Sequence, residues 1–235
     1  MFAIYKRELR AYFTTAVGYV FLAIIVALSA VAFSLTTILQ ATNDVTTYFT
    51  VLLFILMVAL PVLTMKLFSE ERKMRTEQLL LTAPVSIAKI VSAKFFAAFT
   101  VFFGANLLCS LAYITLFVYS DPEGGIILGN IIAITLVGAA FIAVGIFVSS
   151  LTENQLAAAI GTFGILLAML GVGMISSVIP WYPVRYVLGW FSILTRYNNF
   201  TNGFFDFAAL FYYASVCFIF LFLTCRVLER RRYSA

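Results

Sequence analysis

Long uncharged apolar runs alternate with short polar stretches along this chain, and the runs exceed what a soluble core element needs. Residues 11–43, 45–65, 95–120, 124–152, 154–184 and 207–225 contain no Asp, Glu, Lys or Arg. A helix needs about 20 apolar residues to cross roughly 30 Å of hydrocarbon. Each run supplies one such helix, and the pattern predicts spans near 17–39, 46–65, 95–119, 126–149, 156–179 and 207–226. The fold class expected is an all-α integral membrane protein, with residues 1–235 forming a single transmembrane domain.

The polar stretches add smaller elements. Phe2, Tyr5, Leu9 and Tyr12 recur at helical spacing among Lys6, Arg7 and Arg10, which predicts an amphipathic helix lying in the interface plane as a topology anchor. The run after it outlasts the roughly 7–15 apolar residues of a signal peptide, so span one is expected to be retained. Residues 120–125, Ser-Asp-Pro-Glu-Gly-Gly, read as a turn, and Ser150–Gln155 as another. Between 180 and 206 the chain is aromatic and interrupted by Pro180, Pro183 and Arg185. Trp181, Tyr182, Trp190, Phe191, Tyr197, Phe200, Phe204 and Phe205 suit the headgroup level, so one or two re-entrant or interfacial helices are expected there.

Composition agrees. Hydrophobic residues make up 63% of the 235 and charged residues 11%, and mean hydropathy is +1.06. Too few charges are present to coat a soluble domain, which excludes a soluble enzyme and a nucleic-acid-binding module. There is no histidine to serve as base or metal ligand. Cys109, Cys217 and Cys225 all lie in apolar runs and read as small buried hydrophobes.

The net charge of +5 is distributed unevenly. Thirteen of the 15 basic residues fall before span one, between spans two and three, or after span six. Only Arg185 and Arg196 lie on the other side of a six-span arrangement. By the positive-inside rule both termini are cytoplasmic. The span interiors carry no ionisable residue, which weighs against an ion-coupled carrier.

Span five carries small residues at Ala157, Gly161, Gly164, Ala168 and Gly171, spaced so that they share one face. Such faces let helices approach closely, either within one subunit or between two. Gly138 and Gly145 in span four are a weaker version of the same signal.

The sizeable polar connection is 66–89. Ser69 is placed to cap a helix whose first turn holds Glu70 and Glu71, and Glu71 and Arg75 stand at a pairing distance of four residues. Leu79, Leu80 and Leu81 form an apolar ridge, Pro84 disfavours helix at Ala83, and Ser86 can cap the helix into span three. Physics alone leaves a docked partner and a lipid surface equally open for this helix.

This connection resembles that of type-2 ABC exporter permeases. The likeness is carried by Phe68-Ser69-Glu70-Glu71-Arg72, by Thr76-Glu77-x-Leu79-Leu80-x-x-x-Pro84-Val85-Ser86, and by Lys94. Ser149-Ser150-Leu151-Thr152-x-Asn154-Gln155 and Tyr197-x-Asn199-Phe200-x-x-Gly203-x-x-Asp206 agree with it. Within the family, the start Met1-Phe2-Ala3-Ile4-Tyr5-Lys6-x-Glu8-Leu9 and Tyr19-Val20-Phe21 are closest in likeness to permeases associated with bacterial gliding motility. One departure is Arg75, where the family usually has glycine.

The resemblance implies a six-span subunit of the bacterial cytoplasmic membrane that pairs with a second permease subunit, identical or related. It implies docking of a separate ABC ATPase subunit through 69–83, with Ser69, Glu70, Glu71, Thr76, Glu77, Leu79, Leu80 and Pro84 as the coupling residues. The chain contains no G-x-x-x-x-G-K-[ST] phosphate loop. No catalytic residue, metal or cofactor is therefore expected on it, and ATP belongs to the partner ATPase. Membrane lipid is the remaining partner. The alternatives are an ion-coupled carrier, an intramembrane enzyme acting on lipid, and a scaffold that recruits a cytoplasmic protein without transport.

Overall fold

The computed structural model describes residues 1–40, 45–76, 85–119, 124–178, 189, 192–194, 196–197 and 206–234. Helix is the regular structure throughout them, as a lipid environment demands when backbone groups have no water to bond. The helices are α1 (Phe2–Thr14), α2 (Ala16–Phe33), α3 (Thr46–Thr64), α4 (Lys66–Lys73), α5 (Ile87–Ser110), α6 (Tyr113–Tyr119), α7 (Gly124–Leu151), α8 (Gln155–Val178) and α9 (Phe207–Ser234). Six helical stretches are long and apolar enough to span a membrane: Ala16–Ile38, Thr46–Lys73, Ile87–Val118, Gly124–Leu151, Gln155–Gly173 and Phe207–Arg232. Of the expected turn 120–125, residues 120–123 lie outside the described residues, and Gly124 and Gly125 open α7 instead.

Two helices form the centre. In α3, Tyr48, Phe49, Leu53, Leu60 and Leu63 are fully buried, and in α7 Ala133, Ile134, Val137, Ala143, Val144 and Ile146 are too. α7 packs on α3, α4, α5, α8 and α9, and α3 also packs on α2 and α8. Around this pair, α2, α5, α8 and α9 keep outward apolar faces, as lipid contact requires.

Close approach to α7 is set by two glycines. A methyl group on Gly138 would overlap the Phe102 ring of α5, and one on Gly145 would overlap Thr64 of α3. These residues, which the sequence marked only weakly, are tight contacts between α7 and its neighbours.

The expected stripe on span five behaves oppositely. Ala157, Gly164 and Ala168 are exposed on α8, and Gly161 and Gly171 are half-buried. Among the described residues a methyl group would meet nothing at Gly164 or Gly171, and at Gly161 only Val148 at 3.1 Å. The inward face of α8 is instead Ala158, Thr162, Leu166 and Leu170.

At the end of the bundle away from α4, Ser29 and Tyr48 share a hydrogen bond of 2.7 Å, and Phe33, Phe49 and Tyr113 pack around the Tyr48 ring. Tyr197 departs from its expected place at the lipid interface. It is fully buried, and its hydroxyl donates to the Phe49 carbonyl at 2.9 Å. A tyrosine can enter the core when its O–H finds a partner. The other aromatic residues named for 180–206 lie outside the described residues. Cys109 is buried as expected, whereas Cys217 and Cys225 on α9 are only partly so.

Candidate functional site

The polar end of the bundle gathers four parts of the sequence: α1, α4, the turn after α7 and the end of α9. Helix α4 lies at their centre. Its start follows Pro61 and the break at Met65, where α3 ends.

The first amides of a helix lack partners inside it. Here they are answered from another helix. The Ser149 hydroxyl of α7 accepts from the Phe68 amide at 3.1 Å and the Ser69 amide at 3.2 Å, and donates to the Met65 carbonyl at 3.0 Å. Ser149 thus does the work that the sequence assigned to Ser69. Ser69 is inside α4, fully buried, and its own hydroxyl bonds back to Met65. The helix starts four residues earlier than its sequence signal suggests because the cap comes from α7, distant in sequence.

The far end of α4 closes in a Schellman motif. The Thr76 amide donates to the Glu71 carbonyl at 3.0 Å and the Arg75 amide to Arg72 at 3.1 Å. This closure requires a left-handed residue between them, and Arg75 has φ of 55°. Glycine adopts that conformation at no steric cost, whereas Arg75 adopts it against its Cβ.

Charged groups fix α4 to its neighbours. Lys94 of α5 is 1% exposed, and its Nζ lies 2.9 Å from Glu71 Oε1 and 3.3 Å from Glu8 Oε2 of α1. It also donates to the Leu67 carbonyl at 2.7 Å and faces the Phe68 ring. Arg7 bridges the two carboxylates, at 2.6 Å from Glu8 Oε1 and 3.1 Å from Glu71 Oε1. Burial works against the Arg7 guanidinium, but Glu8 and Glu71 outweigh it and hold its pKa above the ordinary arginine value. Two cations and two carboxylates thus balance, as partly buried charge must. Glu71 is committed to Lys94 and Arg7, and the expected pairing with Arg75 is replaced by this one.

On the other flank, Arg72 donates to the Leu151 carbonyl at 2.8 Å and pairs with Glu153 at 2.9 Å. Arg231 of α9 donates to the Ser150 carbonyl at 2.6 Å. The Asn154 side chain accepts from the Leu156 amide at 3.0 Å, capping α8. The two motifs that the sequence singled out, around 68–76 and 149–155, therefore meet in one contact.

Of the remaining residues expected to couple, Glu70 is half-buried and Thr76 exposed, while Glu77, Leu79, Leu80 and Pro84 lie outside the described residues. Within 69–76 the residues turned to solvent are Lys73, Met74, Arg75 and Thr76. Ser86 stands at the start of α5 as expected, though its hydroxyl makes no capping bond. Sequence reasoning missed the joining of Glu8 to Lys94. The available signal was one acidic residue on a basic amphipathic helix and one lysine at the edge of an apolar run.

Six apolar helices with charges gathered at one end define a multi-pass helical membrane protein. The family model described as ABC-2 family transporter protein matches residues 36–228, and the chain belongs to that family. It is thus a membrane-spanning transport subunit, of a class that works with an ABC ATPase. Comparison with curated proteins gave no match.

Proposed function

We propose that the chain is the permease subunit of an ATP-driven exporter and docks its ATPase through residues 69–83. The observation that supports this most is the anchoring of α4. Lys94, Arg7, Ser149 and Arg72 tie it to α1, α5 and α7, so a push on its exposed end would move the ends of several helices together. Ser69 and Glu71 then hold the helix, and Thr76, Glu77, Leu79 and Leu80 meet the partner. ATP binding and hydrolysis occur on that partner. Both termini and the 66–89 connection face the cytoplasm, in keeping with the gathering of basic residues at one end. A second permease subunit, identical or related, packs on α8. Its exposed small-residue face supports that pairing.

The test is co-purification with the ATPase and ATP turnover in nanodiscs. Leu80→Asp places an unpaired charge in the proposed contact, so it abolishes co-purification and stimulated turnover while leaving insertion intact. Unchanged docking and turnover in an inserted variant would refute the docking segment. A scaffold would bind the ATPase without altering its turnover, and an ion-coupled carrier would not bind it. Cysteine substitutions read the sidedness. Positions 44, 122 and 200 react with an impermeant reagent from outside intact cells, and positions 76 and 234 do not.

A further inference from the structure

A cleft of about 280 Å³ opens between α1 and the α3–α4 junction. It sits near the lower end of the roughly 300–1,000 Å³ range of small-molecule sites. Its walls differ in character. Tyr12, Val17 and Leu67 give apolar surface, and Lys66, Glu70 and Glu71 give polar surface. Lys66 and Glu70 stand one turn apart on α4, where opposite charges commonly meet. Among the described residues neither side chain forms an ion pair or hydrogen bond. Glu71 Oε2 is enclosed and also lacks a hydrogen-bond partner, although Oε1 is taken by Lys94 and Arg7. Lys66 and Glu70 are thus the reachable groups with unanswered bonding capacity, while the other charges lining the cleft, Arg7, Glu8, Glu71 and Lys94, are paired with one another.

Position adds to this. Val17 belongs to the first turn of span one, and Lys66 and Leu67 follow directly on α3. The cleft therefore straddles the level where apolar span gives way to polar surface, which is the depth of a phospholipid headgroup.

We propose that this cleft binds the headgroup of a phospholipid bearing a primary ammonium, as in phosphatidylethanolamine. Lys66 takes the phosphate, Glu70 takes the ammonium, and the glyceride lies along Tyr12 and Val17. The chemistry selects this class over its neighbours. A choline headgroup has no N–H to offer the carboxylate. A glycerol headgroup satisfies Lys66 but brings net negative charge beside Glu70 and Glu71 with no ammonium to offset it. Glu70 also lies in the segment proposed to dock the ATPase, so the lipid site is tested on the permease alone, where docking plays no part.

The experiment is native mass spectrometry of the full chain, released from micelles containing equal amounts of phosphatidylethanolamine, phosphatidylcholine and phosphatidylglycerol. One phosphatidylethanolamine is retained per chain, about tenfold over either competitor, a difference equivalent to roughly 1.4 kcal/mol. Lys66→Met combined with Glu70→Gln brings its retention down to the phosphatidylcholine level, and Glu70→Gln alone lowers it part of the way. Equal retention of the three lipids overturns the proposal. So does a preference for phosphatidylglycerol, or an ethanolamine preference that survives both variants. Soluble phosphoethanolamine forms a second arm. If it raises the thermal midpoint as much as the lipid does, the ligand is a water-soluble zwitterion and the membrane source is wrong.

Discussion

Lys94 Nζ and Glu71 Oε1 lie 2.9 Å apart, and this contact joins the start of α5 to the middle of α4. Lys94 is 1% exposed and the Glu71 side chain 17%, so neither charge is well solvated and each depends on the other. Glu8, at 3.3 Å from the same ammonium, extends the dependence to α1. A buried cation shared by two carboxylates ties three helices together with one side chain.

Removing that cation leaves two enclosed carboxylates with Arg7 as their remaining partner. Breaking a buried pair from one side costs about 3–5 kcal/mol. Lys94→Met is therefore expected to lower the thermal midpoint in detergent sharply. Adding Glu8→Gln and Glu71→Gln removes the stranded charge and restores much of the loss. A Lys94→Met midpoint within a degree of the parent would show that the cluster is solvated and structurally idle.

Ser149 offers a narrower test. Its hydroxyl serves Phe68, Ser69 and Met65 at once, so Ser149→Ala leaves the start of α4 without an outside cap. The expected cost is about 1–3 kcal/mol, the penalty for buried groups left unpaired. Hydrogen exchange localises it: the amides of Phe68 and Ser69 lose protection while those in the middle of α7 keep theirs. Loss spread evenly over α7 would mean that Ser149 supports the bundle rather than the helix start.

Arg75 predicts a gain. A non-glycine residue in the left-handed region costs roughly 1–2 kcal/mol. Arg75 has φ of 55° and is exposed, so Arg75→Gly relieves that strain and costs no buried contact. Stabilisation of about 1 kcal/mol is expected from thermal unfolding, after the greater entropy of glycine in the unfolded chain is allowed for. Arg75→Val shifts the midpoint the other way, since a β-branched residue tolerates this conformation worst.

The sequence disclosed most of the spans because length and apolarity are local properties. The run 124–152 predicts a span near 126–149, and the helix Gly124–Leu151 contains it. Basic residues gathered at one end were equally legible, since they follow from counting. Ser149 was not. Nothing in its neighbourhood says that it caps a helix some 80 residues earlier, because that depends on how α7 crosses α3. Lys94 was noticed for its family pattern, yet its place between Glu8 and Glu71 comes from the docking of α1, a tertiary event. The glycines misled for a related reason. Spacing reveals which small residues share a face and is silent on what that face meets. Gly138 and Gly145 meet Phe102 and Thr64, whereas the glycines of the longer stripe on α8 meet almost nothing among the described residues.

That contrast gives the last prediction. At Gly145 a methyl group must displace Thr64, which is fully buried and held to the Leu60 carbonyl at 3.0 Å. Gly145→Ala therefore forces α3 and α7 apart. Overpacking of this kind costs about 1–3 kcal/mol, which thermal unfolding of the isolated subunit will register. At Gly164 there is open space, so Gly164→Leu leaves that same measurement unchanged. Its effect appears only if a second helix packs on α8. Small residues allow two helix backbones to approach, and a leucine would hold them apart. Cross-linking in membranes should then fall for Gly164→Leu and stay at the parental level for Leu167→Ala, which is also exposed. Should Gly164→Leu cross-link as the parent does, the stripe faces lipid and the subunits pair through another surface. Should it instead destabilise the isolated subunit, the open space beside Gly164 is filled by a part of the chain outside the described residues.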